Sequence, residues 1–303
     1  MRHIIPMNDM IHPSYHLLTD PGRAVNEDIG GTTPHAAWVL DGATGVGEGG
    51  FTSGATDARW YVQQFDHFLR QHVDDHTTDL QTIIRRGIES VATEFTDMID
   101  PDEITPESRP SAVCVIARWT SESVETYVLG DCELVIITST DDIRPVMDPR
   151  STLARRQNET VNGMSQLMEE RDISHAKARS LLRPKAAHDI RNLRLSDEHW
   201  TLCLSPEAAT DGQYSQFDRE TVDRILLCSD GFTRLITTFG VFNDWYQSVG
   251  WTDEHGIEQA FRRLRAIEQD DMDCTTYPRP KTHDDATVVS VDFSENVTEP
   301  LIE

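Results

Sequence analysis

Lysine is almost missing from this 303-residue chain: only Lys177, Lys185 and Lys281 stand among its 27 basic residues. Set against 52 acidic residues, the basic total leaves a formal charge of -25. A chain so poor in cationic surface lacks the footprint that nucleic acid or an anionic membrane requires, so neither is expected as a partner. The preference for arginine fits a GC-rich genome or adaptation to salt as readily as a function, and carries no reading. Long apolar runs are absent too, which excludes a bilayer-spanning helix. Cysteine is scarce: Cys114, Cys132, Cys203, Cys228 and Cys274 include no closely spaced pair, so neither a zinc site nor a disulfide framework is expected. Four of them lie in apolar stretches, such as Val113-Cys114-Val115, and read as reduced core thiols. Met1 to Met10 holds a single Arg and no apolar run of signal-peptide length, which predicts a cytoplasmic protein.

What is present is enough hydrophobic sequence, 38% of the chain, to bury a sizeable core. One domain over residues 1–303 with an insertion is favoured over two. Short apolar segments flanked by turn residues predict strands at Ser14–Thr19, Ala36–Leu40, Ala112–Trp119, Val124–Leu129, Leu134–Thr138, Trp200–Leu204, Ile225–Cys228 and Thr287–Val291. Apolar residues at three- and four-residue spacing predict amphipathic helices over Ala55–His72, Leu80–Met98, Thr152–Met168 and Ile257–Ile267. This order lacks the regular alternation of a parallel βαβ fold, and an α+β sandwich fits it better. Residues 147–194 are poor in strand signal and rich in Arg, Glu and Gln, and predict a helical insertion between core strands. It reads either as a lid or docking surface, or as a solvated decoration with no part in substrate choice.

The chemistry lies in the acidic residues. Asn26-Glu27-Asp28, Val39-Leu40-Asp41-Gly42, Cys228-Ser229-Asp230-Gly231 and His283-Asp284-Asp285-Ala286-Thr287 place carboxylates at strand ends beside small residues. Twice an apolar strand runs straight into Asp-Gly, where glycine permits a tight turn and close backbone approach. Each Asp-Gly alone is an ordinary turn. Four such segments drawn together would repel one another unless a hard cation neutralised them, and oxygen ligands suit divalent cations.

The arrangement resembles the type-2C family of metal-dependent protein phosphatases, from Arg23 to Val291. Arg23 with Glu27-Asp28 is similar to the family's opening motif, and Val39 to Gly42 to its central Asp-Gly. Leu129-Gly130-Asp131 resembles the Gly-Asp that begins a middle strand, Leu226 to Gly231 the Ser-Asp-Gly motif, and Asp284 to Thr287 the closing Asp-x-x-Thr. The resemblance implies a four-layer α-β-β-α sandwich, two antiparallel sheets flanked by helices. It implies two manganese or magnesium ions, with Asp41 bridging them, the Gly42 carbonyl on one, and Asp230 and Asp284 completing the other. Glu27 and Asp28 would hold waters around the ions. Asp131 corresponds to the contributor to a weaker third metal position, or else shapes a hairpin turn.

Two cations about 3.5–4 Å apart neutralise a phosphomonoester and activate a bridging water, so direct hydrolysis is expected and a thiol nucleophile is disfavoured. Arg23 is the candidate phosphate clamp, because a guanidinium offers a planar fork of donors to two phosphate oxygens. Many eukaryotic members carry His two residues after the equivalent of Asp41, where this chain has Ala43. The general acid is therefore unassigned; His283 is a neighbour of Asp284 that could serve, or is simply structural. Asp285 stands where Asn is common in the family and adds a charge near the centre. The resemblance implies a phosphoserine/phosphothreonine protein phosphatase acting on a phosphorylated protein. A phosphatase for a small metabolite and a catalytically silent phosphoprotein-binding regulator are the alternatives.

Overall fold

The computed structural model describes residues 13–45, 48–100, 103–149, 153–196, 199 and 201–294. Among the described residues, ten strands form two five-stranded sheets. The first has the order β1-β10-β9-β6-β7, from β1 (Ser14–Asp20), β6 (Glu133–Thr138), β7 (Ile143–Val146), β9 (Val222–Cys228) and β10 (Ala286–Asp292). The second has the order β2-β3-β4-β5-β8, from β2 (Asp28–Thr33), β3 (Ala36–Ala43), β4 (Ser111–Trp119), β5 (Ser123–Leu129) and β8 (Gln213–Asp218). Every pairing is antiparallel.

Alternation along the strands builds the layers. Ala37, Val39, Val113 and Val115 of one sheet meet Leu134, Ile136, Leu227 and Val289 of the other in a buried inner core. The opposite faces carry helices. Against Trp38, Leu40, Cys114 and Ile116 pack α1 (Asp57–His72) and α2 (Leu80–Met98), through Tyr61, Phe65, Leu69, Ile84, Ile88 and Phe95. These residues recur at helical spacing, and Thr56 and Asp79 cap the two helices by accepting from Arg59 N and Thr82 N. Against Val135, Leu226 and Val288 pack α5 (Asp230–Thr237), α6 (Trp245–His255) and α7 (Ile257–Asp270). The result is the expected α-β-β-α sandwich. All nine residues of β4 are buried, as befits a central strand covered on both faces, and Arg118 within it is neutralised by Glu125 at 2.5 Å.

Three strands escape sequence patterning. β2 reads Asp-Ile-Gly-Gly-Thr-Thr, too glycine-rich to signal a strand, yet it pairs along its whole length with β3. β7 contains a proline and lies at an edge of the first sheet, and β8, mostly polar and alternating half-buried with exposed residues, lies at an edge of the second. The expected strand at Trp200–Leu204 does not form. Leu202 makes only an isolated bridge to Ala112, and Trp200 lies outside the described residues.

Over the span expected to be helical lie two helices packed on each other, α3 (Leu153–Arg171) and α4 (His175–Arg194). Thr152, where the first was expected to begin, lies outside the described residues. Arg191 of α4 forks onto Glu107 with two bonds of 2.8 Å, and Arg194 donates to Ser111 at 2.6 Å. His175, at the other end of α4, bonds the Arg279 carbonyl through Nε2 at 2.8 Å. The helix pair is thus tied at both ends of α4.

Candidate metal centre

Strand register brings the acidic segments to one end of the sandwich. Asp28 opens β2 directly opposite Asp41 near the close of β3. β5 leaves its sheet at Leu129 and crosses to the other through Gly130-Asp131, where Gly130 takes φ +98°, a value glycine tolerates and other residues rarely adopt. β6 then starts with Glu133 opposite Cys228, the last residue of β9, after which Asp230 begins α5. Asp284 and Asp285 immediately precede β10, whose Val288 also faces Cys228. Asp20 closes β1 at the same end, delivering Arg23 in the loop that follows.

Backbone bonds lock these segments together. The Asp285 carboxylate accepts from Gly22 N at 2.8 Å and Glu27 N at 2.9 Å. It thereby anchors the Arg23–Glu27 loop. Ser229 N donates to the Thr287 carbonyl at 3.0 Å while Ser229 Oγ accepts from Thr287 N at 2.9 Å, and Asn26 Oδ1 accepts from Asp28 N at 2.9 Å. A Cβ on Gly231 would lie 1.9 Å from the Asp285 carbonyl oxygen, so only glycine lets α5 start this close to the strand beside it. Gly42 N donates to the Glu27 carbonyl at 3.1 Å, and a Cβ there would stand 2.7 Å from the same oxygen.

The electrostatics are severe. Asp28 is 2% exposed, and neither carboxylate oxygen has a hydrogen-bond partner. Burial pushes it up to about 7, against the Ser229 hydroxyl, which stands close without closing a hydrogen bond of good geometry, and the charges of Asp285, Asp284 and Asp230 add to burial. Asp41 is raised well above the ordinary value by burial and by Asp28 and Asp230. Asp131 is raised to about 7 by burial and by Asp230 and Asp284. Asp284 differs: burial pushes it up, but Lys281 and Arg234 outweigh burial and hold it below the usual range. Lys281 Nζ donates to Oδ1 at 2.6 Å and Arg234 Nη2 to Oδ2 at 2.5 Å. Arg234 is held in turn by the wholly buried Glu268, which also takes Arg265 at 2.6 Å. Among the described residues no three His, Cys, Asp or Glu side chains stand in ligating geometry about one point. The donor chemistry nonetheless suits a hard divalent cation. The oxygens are anionic, and a buried carboxylate with unpartnered oxygens is relieved by a positive charge.

Arg23 Nη2 bonds Glu27 Oε2 at 2.9 Å, and Thr44 donates its hydroxyl to Glu27 Oε1. The Arg23 side chain is 42% exposed. With Glu27, Gly42 and Lys281 it lines a cavity of about 650 Å³ whose far wall is α3 and α4, including Arg179 and Arg183. His283, by contrast, lines a separate cleft between β1 and α7 with Asp20, Glu258 and Arg262.

Residues 28–267 match the family model of protein phosphatase 2C. The chain belongs to the protein phosphatase 2C family. It is an enzyme of that phosphatase class. The fold of protein phosphatase 2C is matched in solved structures at low sequence identity. The Mycobacterium tuberculosis serine/threonine phosphatase PstP/Ppp aligns with a TM-score of 0.54 at 17% identity, over 92% of this chain and 98% of that one. Stp1 from Staphylococcus aureus, a serine/threonine phosphatase, gives 0.50 at 16%, over 92% and 94%. The catalytic domain of PstP in complex with two manganese ions gives 0.50 at 16%, over 92% and 97%. No curated protein matches the chain.

Cys228 stands six residues before Arg234, the Cys-x5-Arg spacing of a thiol phosphatase loop. Spacing alone therefore does not exclude a thiol nucleophile in this protein phosphatase 2C chain; burial does. Cys228 is wholly buried in β9 among Leu226, Phe232 and Val288, burial raises its thiol, and Arg234 is bound to Asp284 and Glu268. Sequence reasoning missed Lys281, Arg234 and Glu268 as parts of the centre. Lys281 carried a signal, as one of three lysines and three residues before Asp284. Arg234 and Glu268 carried none, because each is an ordinary charged residue on an amphipathic helix until the tertiary fold buries it.

Proposed function

We propose that this chain hydrolyses phosphoserine and phosphothreonine in proteins, as a single cytoplasmic phosphatase domain that carries the α3–α4 pair as an insertion. Two divalent cations, manganese or magnesium, would be held by Asp41, the Gly42 carbonyl, Asp230 and Asp284. Glu27 and Asp28 would orient surrounding waters, and Asp131 would contribute to a weaker third position. The observation that carries the reading is the buried, unpartnered Asp28 carboxylate placed directly across the β2–β3 ladder from Asp41, with Asp230 and Asp284 acting on both. When bound, such cations neutralise phosphate oxygens and make water acidic enough to attack at neutral pH.

The chain's own residues account for the rest. Arg23 presents an accessible guanidinium at the rim of the cavity and clamps two phosphate oxygens once it leaves Glu27. Asp285 holds the Arg23–Glu27 loop in register with the centre, so the clamp and the carboxylates are positioned by one side chain. The Glu268–Arg234 pair fixes the rotamer of Asp284. Burial of Cys228 leaves the phosphate no protein thiol to attack it, so no phosphoenzyme forms there.

The test is hydrolysis of a phosphothreonine peptide and of p-nitrophenyl phosphate with and without manganese, for wild type, Asp41→Asn and Arg23→Ala. Wild type should be metal-dependent, and Asp41→Asn should lose at least about 100-fold in rate. Arg23→Ala should lower kcat/KM roughly 10- to 100-fold. Turnover of small phosphomonoesters alone would assign a metabolite phosphatase instead, and metal binding without turnover on either substrate would assign a binding role.

A further inference from the structure

Each oxygen of the Asp284 carboxylate holds a cationic donor, Lys281 on Oδ1 at 2.6 Å and Arg234 on Oδ2 at 2.5 Å. The two donors are not equivalent. Arg234 is buried, pinned to the wholly buried Glu268, and projects from α5. Lys281 is 30% exposed and opens onto the cavity shared by Arg23, Glu27 and Gly42. The loop that presents it is rigid: Arg279, 2% exposed, bonds Asp271 at 2.6 Å, and Asp271 accepts from the backbone of Thr275, Thr276 and Tyr277. α4 holds the same loop through His175 on the Arg279 carbonyl. With its backbone fixed, Lys281 can leave Asp284 only by swinging its flexible four-carbon stem into the cavity.

We infer that Lys281 is an internal cation standing at one of the two metal positions, so that a divalent ion binds at Asp284 only by displacing the lysine ammonium. The inference rests on the metal-centre reading above. Lys281 reaches Asp41 only as a nearby charge, so an ion held through Asp41 on the Asp28 side displaces no cationic donor, whereas an ion at Asp284 must break a charge-assisted hydrogen bond or sit beside a like charge. The wild-type protein therefore takes up its two ions unequally, and Lys281 sets the affinity of the weaker one.

The experiment is a Mn²⁺ titration that counts free ion by electron paramagnetic resonance, cross-checked by calorimetry, on wild type, Lys281→Met, Lys281→Gln and Lys281→Arg. Neither readout depends on activity. Both neutral variants should bind the weaker ion roughly 10- to 100-fold more tightly, the ratio expected when a charge-assisted hydrogen bond no longer has to be broken. Lys281→Arg, which keeps the charge, should bind it no better than wild type. Lys281→Gln keeps a polar head toward Asp284 and is held to the same expectation if the methionine variant fails to fold. Unchanged or weakened binding in the neutral variants overturns the inference while leaving the metal centre intact. If no variant and no wild-type protein binds Mn²⁺, the metal-centre reading falls and the inference falls with it.

Discussion

At the scale of single residues, the centre concentrates negative charge that the fold itself opposes, and the consequence is a pH dependence with a definite sign. Asp28 and Asp131 sit at about 7, and Asp41 is raised as well, whereas an unfolded aspartate titrates near ~4. A carboxyl with a raised folded value holds its proton more tightly when folded. Its contribution to stability is thus fully present below about pH 4 and is lost as pH climbs through about 7. Asp284 works in the opposite sense, since its lowered value contributes stability that is lost as pH falls through that value, a window below about pH 4. In chelator, the melting midpoint should therefore fall steadily between about pH 5 and pH 8, and manganese should flatten the slope. A midpoint in chelator that stays level or rises across that range would show that these carboxylates are not destabilised by their burial. Glu268 supplies a second residue-level expectation. Glu268→Gln removes the charge that pins Arg234 and Arg265, and should weaken Mn²⁺ binding by roughly tenfold, read by the same free-ion titration.

At the scale of elements, what was legible in the sequence divides by physical cause. α2 forms over the expected Leu80–Met98, because seven buried positions repeat at helical spacing behind a good cap. β4 and the Ile225–Cys228 half of β9 are legible because their residues are almost all apolar. β2 is not, because Gly30 and Gly31 supply no strand propensity and the strand exists through its ladder with β3. The Asp-Gly segments were legible because an apolar strand leads into each, but their convergence is a property of register and of sheet crossing at Gly130, which local patterning does not encode. His283 was a sequence neighbour of Asp284 and faces another cleft; adjacency along a chain that is about to enter a strand sends successive side chains to opposite sides. Gly231 carries the element-scale prediction. In Gly231→Ala the new methyl would meet the Asp285 carbonyl at 1.9 Å, and because that obstacle is backbone, α5 must shift outward. Urea denaturation should show a loss of roughly 1–3 kcal/mol, and Asp230, the neighbouring residue at the start of α5, should bind metal more weakly. Wild-type stability in this variant would mean that α5 can slide along β10 without cost.

At the scale of the whole molecule, a charge of -25 on 303 residues sets two effects of salt against each other. Self-repulsion among the excess carboxylates destabilises the compact state, and screening removes that penalty. Ion pairs are weakened by the same screening, but here the ones that organise the fold are buried: Arg118–Glu125, Arg279–Asp271 and Arg234–Glu268 each have at least one side chain no more than 5% exposed. Such pairs lie out of reach of mobile ions, whereas exposed ones such as Arg85–Glu89 and Lys185–Asp189 contribute little to begin with. Repulsion is therefore the salt-sensitive partner in this balance. Raising NaCl from about 0.1 M to about 1 M shortens the Debye length from ~10 Å to ~3 Å, and in chelator the melting midpoint should rise by at least a few degrees. A midpoint that falls with salt would show that exposed ion pairs outweigh self-repulsion. Metal binding should respond in the opposite direction, because the field that draws a divalent cation toward the acidic end of the sandwich is screened as well. The same salt step should weaken Mn²⁺ binding, so the protein becomes more stable without metal and depends less on it.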